Sequence, residues 1–192
     1  MLFENSLITT DWLFENLVGE QGLEMSTNGY KCNINLYRCN LEKDYVHELF
    51  GFEIDTSMSV LSPDIYINVP IGTCKDIYEH EIRYSYVAHS FLQKLIPEKV
   101  KEIAGLELAS VTFSILHEIG HWKYFCHLNL TPIEYCEYDA LERNKFLQLY
   151  GENLESSEAL KSYRKISGEA AADKYALLNI QSSVEHIINK NI

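Results

Sequence analysis

The order of patterns along the chain predicts an α+β fold. Period-two alternation is confined to the first 75 residues, helical periodicity fills the remainder, and strands followed by helices disfavour a doubly wound sheet. At about 150 residues per domain, the 192 residues form one domain, with a strand-rich part over 1–75 and a helical part over 76–192. A hydrophobic share of 46% with only 4 Pro and 9 Gly is a core-forming composition, which excludes a disordered chain.

Each element follows from local chemistry. Leu23, Met25 and Thr27 alternate before Asn28-Gly29, and Cys32, Ile34 and Leu36 after it. Asn-Gly tolerates the two positive φ angles of a type I′ turn, so the segment reads as a β-hairpin. Leu41 to Phe50 reads as a short helix closed by Gly51, and Phe52 to Val60 and Asp64 to Val69 as further strands. In the last of these Ile65, Ile67 and Val69 face a core, and the bracketing Pro63 and Pro70 suggest a sheet edge. One helix is expected from Asp76 to Ile96, stopping before Pro97, and another from Leu106 to Cys126. Thr131-Pro132-Ile133-Glu134 is a capping box with Pro at the first helical position, opening a helix to Gly151. A last segment breaks at Ser167-Gly168 and restarts at Glu169.

A net charge of −12 repels phosphate backbones and anionic lipid head groups, so neither nucleic acid nor a membrane surface is expected as partner. Residues 1–17 carry acids where a secretory leader carries Lys or Arg, and no apolar run approaches the ~20 residues of a bilayer span. The expected setting is the cytoplasm. Five cysteines, odd in number and without a CxxC pair, are expected as reduced, mostly buried thiols.

The chemistry concentrates in His117-Glu118-Ile119-Gly120-His121, an HExxH set. On a helix, positions i and i+4 share a face, so two imidazoles can converge on one cation, while Glu118, ~100° around, stands beside it as a general base. Val111, Phe113, Ile115, Leu116 and Ile119 make the same helix apolar nearly all round. Buried imidazoles need a partner to offset desolvation, and a metal supplies one.

A catalytic zinc takes a third protein ligand and keeps an open position. Glu169 is the first candidate: Asp173 falls one turn later and can accept a ligating histidine's free ring N–H. Ala170, Ala171 and Ala172 carry so little bulk that their helix can approach the HExxH helix closely. His127, ten residues after His117, is the second candidate, although Tyr124 stands where the extended pattern needs Gly. The acids Glu134, Glu137, Asp139 and Glu142 are the third, and read more simply as a solvated helix face. His47, His80 and His89 lack ligand spacing and read as structural, with Glu79-His80-Glu81 on a solvated face.

His117-Glu-Ile-Gly-His121 followed by Glu169-Ala-Ala-Ala-Asp173 resembles the gluzincin metallopeptidases, in which a glutamate ligand lies in an ExxxD segment of a second helix. It is most similar to the small ImmA/IrrE-type peptidases and the minigluzincins. The resemblance implies a zincin-like fold, with Asp64 to Val69 as the edge strand that pairs with an extended polypeptide substrate. It also implies zinc on His117, His121 and Glu169, Asp173 orienting His117, and Glu118 passing a proton from water to the leaving amine. A donor to the oxyanion is needed. His186 is a candidate, and Tyr163 and Tyr175 are chemically able. The alternative is a non-catalytic, zinc-stabilised regulatory or interaction protein, for which a fourth donor such as Cys126 or His127 should close the metal shell.

Overall fold

The computed structural model describes residues 7–20, 26–27, 29–41, 49–57, 59, 63–151 and 156–190. In chain order the elements are α1 (Thr10–Glu20), β1 (Ser26–Thr27), β2 (Tyr30–Tyr37), β3 (Gly51–Asp55), β4 (Asp64–Pro70), α2 (Cys74–Tyr84), α3 (Tyr86–Leu95), α4 (Glu98–Ala104), α5 (Leu106–Leu128), α6 (Pro132–Tyr150), α7 (Ser157–Tyr163) and α8 (Ser167–Lys190). The architecture is α+β and mostly helical. No single helix is long and apolar enough to cross a membrane.

With apolar residues all round, α5 has no face to give to water, and it is buried from Leu108 to Phe113 and from Ile115 to Trp122. The sheet packs on one side of it through β3 and β4, while α1, α2, α4 and α8 cover the others. The amino-terminal helix was not anticipated, although Leu13, Phe14 and Leu17 lie at helical spacing and are all essentially inaccessible. It is tied to the end of β4, where Thr10 donates its hydroxyl to Pro70 O and its N–H to Gly72 O at 2.9 Å.

The sheet order is β1-β2-β4-β3. β1 and β2 form the expected antiparallel hairpin, with Thr27 opposite Tyr30 and Gly29 at φ +85°. Leu23 and Met25 lie outside the described residues, as does most of the helix expected over Leu41 to Phe50. β2 runs parallel to β4, with Cys32 opposite Ile65, and β3 runs antiparallel to it, with Phe52 opposite Ile67. Asp64 to Val69 is therefore a central strand, and among the described residues β3 is the edge on its other side from β2. Pro63 precedes the strand and Pro70 ends it, so neither removes a donor from the middle of the ladder; the prolines mark its ends, not an outer position. Ile65, Ile67 and Val69 are fully buried as expected, whereas Ile34 and Leu36 on β2 are 42% and 43% exposed.

The helix expected over Asp76 to Ile96 is two helices, broken at Ser85, whose φ −135°, ψ 40° is not helical. Its acidic segment is a solvated face only in part, with Glu79 exposed. His80 is buried, and Glu81 Oε2 lies 3.3 Å from Nδ1 of the buried His89. α6 opens with the expected capping box of Thr131 and Glu134, and α8 begins at Ser167.

The most extensive helix pairing is α5 with α8, and it is unusually close. A Cβ built on Gly120 would lie 2.7 Å from Ala172 Cα and 2.9 Å from Ala172 O, both backbone atoms that cannot swing aside. Of the three alanines, Ala172 makes this approach, while Ala170 is exposed. In a free helix Gly to Ala gains about 1 kcal/mol of propensity. Here Gly120→Ala should instead destabilise by about 1–3 kcal/mol, the usual cost of overpacking. Urea denaturation measures this, and a stabilised variant would contradict the close crossing.

Candidate metal centre

His117 and His121 leave the same face of α5, and their Nε2 atoms lie 3.1 Å apart. The crossing at Gly120 brings the first turn of α8 over them, so that Glu169 Oε2 is 3.3 Å from His117 Nε2 and Oε1 is 3.7 Å from His121 Nε2. One ligand atom from each residue falls within 4.8 Å of the others, and all three residues are buried. A tetrahedral centre with bonds of ~2.0–2.1 Å has ligand–ligand edges of about 3.3–3.4 Å, close to the 3.1 Å between the two Nε2 atoms and the 3.3 Å from His117 Nε2 to Glu169 Oε2.

Each ring is also held from behind. Asp173 Oδ1 lies 3.0 Å from His117 Nδ1, which fixes the Nδ1–H tautomer and leaves Nε2 facing His121 and Glu169. Phe113 stacks on His117 and Phe52, reaching in from β3, stacks on His121, both at 6.3 Å between centroids. Two guanidiniums hold the acids. Arg164 Nη1 donates to Asp173 Oδ1 at 2.7 Å. Arg143 donates to Glu169 Oε1 at 2.9 Å, to Asp139 Oδ2 at 2.5 Å and to Tyr163 Oη at 2.7 Å.

Burial opposes charge on His117, yet the carboxylates of Asp173 and Glu169 outweigh it and raise the ring to about 9. Burial and the neighbouring positive His117 together hold His121 down at about 3. Burial would raise Glu169, but His117, His121 and Arg143 hold its carboxyl well below the usual carboxylate range. The metal-free pair thus keeps one proton between two Nε2 atoms and a carboxylate. Glu118, Asp139, Glu169 and Asp173 outnumber Arg143, Arg164 and a protonated His117 by one formal charge, and by two once that proton is lost. The donor set fits a divalent cation.

The site opens on a cleft of 1380 Å³ bounded by β3, the bend between α2 and α3, and parts of α5, α6 and α7. Glu118 lines it beside the two rings. Five expected residues, His117, Glu118, His121, Glu169 and Asp173, are therefore brought together. His186 is not: it lies 17 residues beyond Glu169 in the same helix, about 25 Å away at 1.5 Å per residue, and it does not line the cleft. Tyr175 does not line it either, whereas Tyr163 does. His127 is exposed at the end of α5, and among the described residues neither it nor Cys126 joins the ligand group. Glu134 caps α6 and Glu137 is exposed, but Asp139 and Glu142 turn inward. Asp139 holds Arg143, and Glu142 accepts the Ser167 N–H at 2.8 Å where α8 begins. His47 lies outside the described residues.

Sequence reasoning missed Arg143, Arg164 and Phe52. The i, i+4 pair Asp139/Arg143 was a readable signal. Arg164 and Phe52 reach the site only through tertiary packing. Comparison with known proteins adds nothing, since no protein family, curated protein or solved structure matches this chain.

A cation entering between the rings must displace the proton on His117, which is bound below about pH 9. Zinc affinity of the metal-free protein should therefore climb about tenfold per pH unit between about pH 6 and about pH 8 and level off beyond the raised His117 value. Chelator competition across that range measures it, and a flat profile would contradict the assignment.

Proposed function

We propose that the protein is a zinc-dependent metallopeptidase of the gluzincin type, with a zincin-like arrangement of sheet, HExxH helix and glutamate helix. The observation that carries the reading is the convergence of two imidazole nitrogens and one carboxylate at the wall of an open cleft, with a fourth side chain, Glu118, beside them. His117, His121 and Glu169 would hold the ion. Burial pushes the Cys32 and Cys74 thiols up to about 12, which argues against thiolate ligands from these two. When bound, zinc supplies Lewis acidity toward water and a carbonyl oxygen.

The remaining steps belong to the chain's own residues. Glu118 takes the proton of the attacking water and returns it to the departing amine. Asp173 keeps His117 in the tautomer that presents Nε2. Tyr163 takes the place given to His186 as donor to the developing oxyanion, because it alone of the three candidates lines the cleft. An extended peptide adds to the free side of β3, the strand that borders the cleft, and so takes the place first given to β4. The volume of the cleft exceeds the ~300–1,000 Å³ of small-molecule pockets, which favours a polypeptide over a small amide. A reducing cytoplasm suits the five free thiols.

Retention of an acid beside the ligands is what separates a hydrolase from a purely structural zinc protein. Glu118→Gln should bind zinc as the parent does while peptide hydrolysis falls by roughly 10²–10⁴-fold. Metal content and turnover of a fluorogenic peptide library, measured on both proteins, provide the test. Unchanged turnover in the variant would refute the mechanism.

A further inference from the structure

We infer that Arg143 is a positioning residue that restricts Glu169 to coordination through one oxygen. The inference rests on the metal centre proposed above. Its starting point is the division of labour between the two carboxylate oxygens. Oε2 is 3.3 Å from His117 Nε2, whereas Oε1 accepts from Arg143 Nη2 at 2.9 Å and stands off from His121 Nε2 at 3.7 Å.

The guanidinium is itself immobilised. Its planar fork offers donors in fixed directions, and those used point to Asp139 on the same helix, to Tyr163 on α7 and to Glu169 on α8. Its carbon also lies 5.5 Å from the centroid of the Tyr163 ring. A group tethered to three helices cannot follow a rotating carboxylate. For Oε1 to join the ligand set the carboxylate would have to turn against the 2.9 Å contact with Arg143, whose guanidinium, 35% exposed, would then give up part of a charged hydrogen bond. Lysine could not substitute, because a point charge on a flexible stem cannot hold three acceptors in one plane. The consequence is a three-atom protein ligand set with room left for solvent and substrate. Cations such as Ca²⁺, which favour two-oxygen carboxylates and six to eight oxygens, are disfavoured.

The experiment uses the full chain with zinc and, separately, cobalt(II) as probes. Wild type should show the intense visible bands of four-coordinate cobalt(II). Arg143→Met should bind zinc about 10–100-fold more weakly by chelator competition, the usual cost of losing an outer hydrogen-bond partner, and its cobalt(II) bands should weaken as a fifth donor enters. Arg143→Lys should not restore either property, and it carries the same readouts if Arg143→Met does not fold. Tyr163→Phe removes one tether of the guanidinium but keeps the Arg143–Glu169 contact, and should weaken zinc binding by less than Arg143→Met does. Wild-type zinc affinity and an unchanged cobalt(II) spectrum in the Arg143 variants would overturn this inference alone. A wild-type chain that takes up neither ion would overturn the proposed function and this inference with it.

Discussion

The centre depends on two helices crossing closer than side chains normally allow. Packed helices usually stand 8–10 Å apart, and they come closer only where the residues between them are small. Gly120 lies between the two histidines on α5, and Ala172 lies three residues after Glu169 on α8. Their contact is backbone to backbone. A side chain at Gly120 would therefore push against the α8 backbone one turn from Glu169.

The closeness creates an electrostatic problem that the surrounding residues solve. Buried acids facing buried imidazoles are costly unless each has a partner. Arg164 takes Asp173, Arg143 takes Glu169 and Asp139, and His117 keeps a proton in the metal-free state. The arrangement still lacks positive charge, and its donors are aimed at one point. Preorganisation of this kind would lower the reorganisation needed to bind a cation as proposed, because rings and carboxylates already occupy their places.

Much of this was legible in the chain. The HExxH spacing, the glutamate one turn before an aspartate and the alanines between them picked out the five residues that converge, since each motif is written in the helical period. The capping box at Thr131 and the Asn28-Gly29 turn were equally local. What escaped was tertiary. The bracketing prolines gave the ends of β4 but not its neighbours, so the edge position went to the wrong strand. The bend at Ser85 carries no Pro or Gly to announce it. Acids on α6 read as solvated because α7 and α8, which cover that face, come later in the chain. His186 has suitable chemistry but sits far along α8, and helix length alone could have removed it.

Anomalous diffraction at the zinc edge, from crystals of the zinc-loaded protein, would test the central claim most directly. A single peak within coordination distance of both Nε2 atoms and one Glu169 oxygen, with an open side toward the cleft, is the expected result. A peak bound to a cysteine sulfur, a shell closed by a fourth side chain, or density remote from the two rings would contradict it.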